Sequence, residues 1–211
     1  MKRARILLAD DHALTLEGIR TILDPHHEIV GLAADGRALV EAALRLRPDL
    51  IALDITMPLL NGLDAAIQIK RQLPDVKLLF VTMHVNPAYL EAALTAGGTG
   101  YVLKSAAGEE LLTAVDTVLK GRIYLTPGLS TEHLDRFHDP LQAAAAMRLT
   151  KRERETLQLI AEGKAAKEIA HILNISVKTV AFHRENLKKK LNLRTTAELT
   201  KHAMEQGLLT S

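Results

Sequence analysis

The sequence predicts two domains, an α/β domain built on a parallel sheet followed by an all-α domain. Over residues 1–121, short uninterrupted apolar runs alternate with longer amphipathic stretches, which is typical of strands buried on both faces and joined by helices. From residue 149 onward, apolar positions recur at helical spacing alone. Residues 122–148 follow neither pattern, so we interpret them as a linker.

Five apolar runs predict five strands, and prolines or paired glycines mark the joins between them. The predicted strands are 6–9, 29–33, 50–53, 78–82 and 101–103, and the predicted helices are 13–23, 36–47, 61–73, 87–96 and 107–119. This order predicts a doubly wound, five-stranded parallel sheet with helices on both sides.

The second domain is predicted to contain four helices, at 151–162, 166–173, 177–191 and 195–206. Thr150 with Glu153 and, separately, Ser176 are typical N-cap residues, and Gly163 is a typical helix stop. The alanine run at 143–146 predicts a short helix within the linker.

Composition limits the class of protein. With 47% hydrophobic but only 3% aromatic residues among 211, the cores must be aliphatic, and the absence of cysteine excludes disulfide and thiolate metal sites. We expect a soluble cytoplasmic protein, because the basic start lacks the apolar length of a signal peptide and no apolar run is long enough for a membrane span. The net charge is −4 over residues 1–147 and +6 over 148–211, which indicates a polyanionic partner for the second half.

Charged and hydroxyl side chains follow four of the predicted strands. Asp10 and Asp11 follow the first, Asp54 the third, Thr82 ends the fourth and Lys104 follows the fifth. Ligands of open α/β sheets bind at the carboxyl ends of the strands, so we expect these side chains to meet there. Carboxylates suit Mg²⁺, a carboxylate can act as nucleophile toward phosphorus, and an ammonium and a hydroxyl can hold phosphoryl oxygens.

Residues 4–121 resemble the receiver domain of bacterial response regulators, a flavodoxin-like fold. The motifs that carry the resemblance are Asp10-Asp11, Asp54 with Met57-Pro58 and Gly62, Thr82, and Tyr101 to Lys104. The resemblance implies that Asp54 is the phosphoacceptor. It implies a Mg²⁺ site made by Asp11, Asp54 and the Thr56 carbonyl, with Asp10 acting largely through water. It also implies that Thr82 and Tyr101 form a switch pair and that Lys104 binds the phosphoryl group.

Two residues of this half have alternative interpretations. His84 and Thr56 each stand two residues beyond a motif residue, where the resemblance implies an effect on hydrolysis of the acyl phosphate. The alternative interpretation of His84 is an ordinary loop histidine. The alternative to a switch role for Tyr101 is that of a strand residue at a half-buried position.

The segment 166–191 predicts a helix, a short turn and a longer helix. Val180, Leu187 and Leu191 share one face of the longer helix, while its other face is polar and basic. Such a helix fits the major groove of DNA.

Residues 149–209 resemble the LuxR-type helix-turn-helix of the NarL/FixJ subfamily. The carriers are the segments 149–153, 160–164, 167–170, 175–183 and 190–191. The predicted DNA-binding residues are Lys164, Lys167, Ser176, Lys178, Thr179, Ala181, Phe182, His183, Arg184, Glu185, Lys188 and Lys189.

Some members of this set are expected on phosphates, which sets affinity without specifying sequence; they are Lys164, Lys167, Lys178, Thr179, Arg184 and Lys188. Ala181 or Phe182 is suited to a thymine methyl, and Glu185 either accepts from cytosine or pairs with Lys188 or Lys189. The resemblance also implies a dimer surface on the last helix, at Ala197, Leu199, Ala203 and Met204, although core packing is the alternative role of that helix.

Together these motifs predict a two-component response regulator and not an enzyme. A sensor histidine kinase would phosphorylate Asp54, and phosphorylation would control homodimerisation and sequence-specific DNA binding. One alternative is a regulator that works without phosphorylation and has a vestigial receiver. The other is a phosphohydrolase, which the lack of a glycine-rich phosphate loop and of a second acid two residues after Asp54 disfavours.

Overall fold

A computed structural model describes residues 3–129, 149–206 and 208. They belong to two compact units, the first containing a sheet and the second all helical. The short helix predicted at 143–146 lies outside the described residues, as does the linker from residue 130 onward.

The first unit alternates strands and helices as predicted. Its strands are β1 (Arg5–Ala9), β2 (Glu28–Ala33), β3 (Leu50–Leu53), β4 (Lys77–Thr82), β5 (Gly100–Leu103) and β6 (Tyr124–Leu125), and its helices are α1 (Ala13–Leu23), α2 (Gly36–Leu46), α3 (Gly62–Gln72), α4 (Pro87–Thr95) and α5 (Ala107–Leu119). The ten predicted elements each lie within one residue of the observed bounds.

The sheet is parallel, with the strand order β2-β1-β3-β4-β5-β6. The predicted number of five strands is therefore wrong. Tyr124 and Leu125, in the segment predicted as linker, pair with Gly100 and Tyr101 of β5. Two residues are too few to give a recognisable apolar run, so sequence pattern alone misses this strand.

Aliphatic side chains fill the core of the first unit, as composition predicted. Every residue of β3 is buried. The inward faces of α1 and α5 contribute Leu16, Leu23, Leu111 and Val115 to one apolar cluster with side chains of β1, β3, β4 and β5. The order of the strands reverses direction between β1 and β3, so the carboxyl ends of these two strands form the crevice in which such sheets bind ligands.

Two hydroxyl groups and one carboxylate attach β6 to the rest of the first unit. The hydroxyls of Tyr124 and Thr126 both donate to Oε2 of Glu110, at 3.0 Å each. The Thr126 hydroxyl also accepts from the backbone N–H of Leu103, at 3.0 Å. Burial and the Glu110 carboxylate raise the pKa of Tyr124 to about 12. Thr126 is thus bonded to the end of β5, one residue before Lys104.

The second unit contains four helices among the described residues, namely α6 (Lys151–Ala161), α7 (Ala166–Leu173), α8 (Val177–Leu191) and α9 (Thr196–Glu205). Each lies within one residue of its prediction. The core contains side chains from all four helices, including Leu157, Ile169, Val180, Leu187 and Leu199. The inward face predicted for α8 is confirmed.

The predicted helix caps are present. Thr150 and Glu153 form a reciprocal capping box at the start of α6, and the Ser176 hydroxyl accepts from the N–H of Thr179 at the start of α8. Gly163 ends α6 with φ of +77° and Asn174 ends α7 with φ of +53°. These are left-handed conformations, for which glycine and asparagine are the favoured residues.

No helix in the described parts of the chain is long and apolar enough to cross a membrane.

Glu153 generates a prediction about pH. Burial by itself raises its pKa, but hydrogen bonds from Lys190 Nζ (2.7 Å) and from Thr150 N and Oγ1 (2.8 and 3.0 Å) outweigh burial and lower the pKa below its ordinary value. A depressed folded-state pKa adds stability above the ordinary pKa of about 4.5, and this stability is lost as the pH falls through the lower folded-state value. Glu153→Gln should therefore lower the free energy of unfolding of the second unit by about 1.5–3 kcal/mol at neutral pH. The loss should be smaller at about pH 3.5.

Hydrogen exchange of peptides from α6, measured at both pH values, tests this prediction. The control is Glu205→Gln, because Glu205 is exposed and lies 3.9 Å from Lys201, a pair expected to contribute little. Equal loss of protection at both pH values in Glu153→Gln would contradict the assignment.

Candidate functional site

The carboxyl ends of the central strands bring the predicted site residues together. Asp10 follows β1, Asp54 follows β3, Thr82 ends β4 and Lys104 follows β5. Asp10, Asp54 and Thr82 are buried. Because the strands themselves are short and apolar, these polar groups lie at the carboxyl edge of the sheet, where each strand ends.

The Lys104 ammonium joins two of the carboxylates. Its Nζ lies 2.7 Å from Oδ2 of Asp10 and 2.7 Å from Oδ2 of Asp54. Burial lowers the pKa of Lys104, but its bonds to Asp10 and Asp54 outweigh burial and raise the pKa. The lysine therefore stays charged and holds the ends of β1, β3 and β5 together.

Both oxygens of Asp54 have partners. Oδ1 accepts from the N–H of Ile55 at 2.6 Å, and Oδ2 accepts from Lys104 at 2.7 Å. These two donors fix the orientation of the carboxylate group. A carboxylate oriented in this way at the edge of the sheet is a competent nucleophile toward phosphorus.

A second cluster contains Asp10, Asp11 and His12, whose donor atoms all lie within 4.8 Å of one another. Oδ2 of Asp10 and Oδ1 of Asp11 are buried and lie at ion-pair distances of 2.7 and 2.8 Å from Lys104 Nζ and His12 Nδ1. Carboxylate oxygens are the ligands that a hard divalent cation prefers. Sequence reasoning missed His12, and the available signal was its position directly after two acids.

The loop after β3 depends on Gly62. The N–H of Gly62 donates to the carbonyl of Ile55 at 2.6 Å, and a Cβ at Gly62 would lie 1.9 Å from the carbonyl oxygen of Asp54. Asn61 begins α3 by accepting from the N–H of Asp64 at 2.9 Å. Only glycine lets the start of α3 come this close to the backbone of Asp54.

Tyr101 is buried, with 1% of its surface exposed, and its hydroxyl donates to the carbonyl of His84 at 2.8 Å. Tyr101 lies in β5, as the alternative interpretation has it, but it is buried and not half-buried. Burial, followed by the charge of Asp54, raises its pKa well above the ordinary value, so the hydroxyl remains a donor. Thr82 lies two residues before His84, and its hydroxyl accepts from the N–H of His84 at 3.4 Å.

The ring of His84 connects the loops after β3 and β4. Its Nε2 lies 2.7 Å from the hydroxyl oxygen of Thr56, and the ring stacks on Tyr89 with centroids 4.0 Å apart. Burial lowers the pKa of His84, which favours the neutral imidazole. These contacts are more specific than those of an ordinary loop histidine, while an effect on acyl-phosphate hydrolysis stays a prediction.

The second unit presents the predicted basic surface on α8. Lys178, Ala181, Phe182 and Lys189 are exposed, and the exposed fraction of Phe182, 63%, is large for an aromatic side chain. The half-buried His183 lies edge-on to Phe182, with ring centroids 6.0 Å apart. Such an exposed ring on a basic helix is available for base contact.

Other predicted DNA-binding residues have partners within the unit. The Arg184 guanidinium donates to the Thr196 hydroxyl, and Glu185 lies 3.3 Å from Lys188, which is the pairing that competes with a cytosine contact. The remaining predicted residues lie at the surface as follows: Ser176 and Lys167 are exposed, and Lys164 and Thr179 are half-buried.

The predicted dimer surface is only partly accessible. Leu199 and Ala203 are fully buried in the core of the second unit, so their role is core packing, and their prediction as surface residues is corrected. Ala197 is exposed and Met204 is 48% exposed, and a dimer contact through these two stays a prediction. The spacing of apolar residues along α9 was not enough to tell which of them face the core and which face outward.

Comparison with known proteins identifies the family of each unit. Residues 6–116 match the response regulator receiver domain, and residues 147–203 match the luxR family of bacterial regulatory proteins. The chain thus contains a receiver domain followed by a luxR-type helix-turn-helix domain. The chain belongs to the response regulator family and is a DNA-binding transcription factor of a two-component system.

Relatives match over nearly their whole length. The transcriptional regulatory protein MctR of Rhizobium johnstonii is 35% identical over 213 residues, covering 98% of this chain and 96% of MctR. The oxygen regulatory protein NreC of Staphylococcus carnosus is 37% identical over 219 residues, covering 97% of this chain and 99% of NreC.

Solved structures of the same arrangement are also similar. The RcsB response regulator of Salmonella typhimurium, 30% identical, superposes with a TM-score of 0.66 over 100% of both chains. A complex of RcsB with DNA, also 30% identical, gives a TM-score of 0.59 over 99% of this chain and 100% of that chain.

The close approach at Gly62 generates a prediction. Gly62→Ala should destabilise the first unit by about 1–3 kcal/mol and displace the loop that follows Asp54, because the added methyl meets a backbone oxygen. Denaturant melts measure the loss. Gly18→Ala is the matched control, since nothing lies within 4 Å of a Cβ there and alanine in a helix interior is favoured over glycine by about 0.5–1 kcal/mol. Equal stability of the two variants would contradict the packing argument.

Proposed function

We propose that phosphorylation of Asp54 controls DNA binding by this transcription factor. The observation that carries the proposal is the Lys104 ammonium, which bridges Asp10 and Asp54 at 2.7 Å each. A group that pairs with Asp54 while it is a carboxylate is positioned to pair with a phosphoryl oxygen once Asp54 is modified.

The reaction is a phosphoryl transfer to a carboxylate. A carboxylate oxygen of Asp54 forms a bond to phosphorus, and the bond from phosphorus to the donor breaks, with its electron pair leaving on the donor atom. The donor would be a phosphohistidine of a sensor kinase. Lys104 offsets negative charge on the transferred group.

Mg²⁺ is the cation that such a site would require. Asp10 and Asp11 would hold it, with Asp54 and the backbone carbonyl of Thr56, and the close grouping of the two carboxylates after β1 supports this assignment. When bound, the cation offsets the charge of the phosphodonor. The residues themselves keep the carboxylates oriented through Lys104, the N–H of Ile55 and the tight turn at Gly62.

Phosphorylation would change the hydrogen bonds of the switch residues. A phosphoryl group on Asp54 offers new acceptor oxygens to Lys104 and to the hydroxyl of Thr82. Movement of Thr82 alters its bond from His84 N–H, and the carbonyl of His84 is the acceptor for Tyr101. The charge at Asp54 is thereby coupled to the position of the loop after β4 and of the buried ring.

The output would be binding of DNA by α8. Lys178, Lys189 and neighbouring basic groups would contact phosphates, while Phe182 would contact the edge of a base in the major groove. A solved structure of RcsB contains two dimers on two DNAs, which supports a homodimer for this chain. The domain assignment we propose is receiver 1–121, linker 122–148 and DNA-binding domain 149–211, in a cytoplasmic protein that acts as a regulator and not as an enzyme.

The first test is covalent modification. Incubation of the full chain with Mg²⁺ and acetyl phosphate should add one phosphoryl group to the wild type and none to Asp54→Asn, as measured by intact mass. Light scattering on the same samples should show a shift toward dimer only in the modified wild type.

Asp116→Asn is the matched control, because this carboxylate is exposed on α5 and should leave modification unchanged. A normal adduct on Asp54→Asn would refute the acceptor assignment. Wild-type DNA binding without any adduct, from acetyl phosphate or from a kinase, would favour the regulator with a vestigial receiver.

The second test is the salt dependence of DNA binding. Loss of one phosphate contact should reduce the slope of log affinity against log salt by about 0.9 per contact. Fluorescence anisotropy with a mixed-sequence duplex should show this reduction for Lys178→Ala but not for Lys201→Ala, whose side chain is exposed on α9. An unchanged slope in Lys178→Ala would remove this residue from the interface.

A further inference from the structure

His12 lies against both acids of the cation site, and the proposed phosphoryl transfer does not use it. Its Nδ1 is 2.8 Å from Oδ1 of Asp11 and 3.2 Å from Oδ1 of Asp10. The backbone N–H of His12 also donates to Oδ1 of Asp10 at 2.9 Å. The turn after β1 therefore holds an imidazole nitrogen and two carboxylates together.

These separations agree with the geometry of metal ligands. When metal–ligand bonds are about 2.1 Å long, adjacent corners of an octahedron are about 3.0 Å apart. The distances from Nδ1 to the two carboxylate oxygens, 2.8 and 3.2 Å, bracket this value. All three donor atoms lie within 4.8 Å of one another, which brings them within reach of one ion.

We propose that His12 is a nitrogen ligand of this site, which therefore accepts first-row transition-metal dications through one imidazole and the carboxylates of Asp10 and Asp11. The inference rests on the cation site of the proposed function and extends it to the class of metal. Imidazole suits transition metals, whereas Mg²⁺ favours carboxylate, carbonyl and water oxygens. Replacing an oxygen ligand by nitrogen shifts selectivity away from Mg²⁺.

The surroundings of His12 are compatible with this role. Its side chain is 57% exposed, so an entering ion can reach Nδ1 without opening the core. His12 also occupies the N-cap position of α1 but makes no capping bond with its side chain. The imidazole is therefore not required for the helix and is available to a ligand.

The experiment uses the full chain and two probes. Pulsed electron paramagnetic resonance of bound Mn²⁺ detects coupling to a directly ligated ¹⁴N nucleus, and calorimetric titrations measure the affinities for Co²⁺ and Mg²⁺. The variant is His12→Asn, which keeps a good N-cap residue. The matched control is His26→Asn, because His26 is an exposed histidine that follows α1.

The wild type and His26→Asn should show nitrogen coupling, and His12→Asn should lose it. The Co²⁺ affinity of His12→Asn should fall by about tenfold or more, while its Mg²⁺ affinity should stay within about twofold. Bound Mn²⁺ without nitrogen coupling in the wild type would overturn the proposal and leave His12 as an ion-pair partner of the acids.

Asp11→Asn separates this inference from the proposed function. Loss of both Co²⁺ and Mg²⁺ binding in Asp11→Asn supports the shared site on which the inference depends. Retention of both in Asp11→Asn would place the metal elsewhere and overturn the cation site and the role of His12 together. Normal Mg²⁺ binding with no effect of His12→Asn on Co²⁺ would overturn the role of His12 alone.

Discussion

The ion pair between Lys104 and the two buried carboxylates, Asp10 and Asp54, is the interaction on which the first unit depends. Three strands that are far apart in sequence end at this point, and each contributes one of the three charges. Removal of one member of a buried pair leaves an uncompensated charge, at a cost of about 3–5 kcal/mol. The arrangement therefore tolerates a change of charge at Asp54 only if other groups change their contacts, and this is the physical basis of a switch.

Contacts around Asp54 extend this constraint outward in two directions. On one side, the N–H of Ile55 and the close packing of Gly62 attach Asp54 to the start of α3. On the other, Thr56 is bonded to the ring of His84, whose carbonyl accepts from Tyr101. Strand β5, which contains Tyr101, is in turn bonded at Leu103 to the hydroxyl of Thr126. Hydrogen bonds and the short backbone segments between them thus connect the sheet edge at Asp54 to Thr126, the residue after the last strand.

Much of the fold and site was predictable because its signals are local. Helix and strand bounds agree to within one residue, since prolines, glycines and capping residues such as Thr150 and Ser176 act on their immediate neighbours. The strand-end positions of the acids and of Lys104 follow from apolar runs. By contrast, β6 is only two residues long and has no pattern of its own, and the contact of His12 with the acids depends on the shape of one turn.

The sequence by itself determined the order of elements, the set of charged groups at the strand ends and the family to which the chain belongs, because these depend on residue type and spacing. Tertiary structure alone decided which of those groups touch. It placed Lys104 between Asp10 and Asp54, buried Tyr101 completely, and used Leu199 and Ala203 for the core instead of a surface. The reason is that burial and side-chain distance are set by packing among residues distant in sequence, and the spacing of residues along the chain does not contain that information.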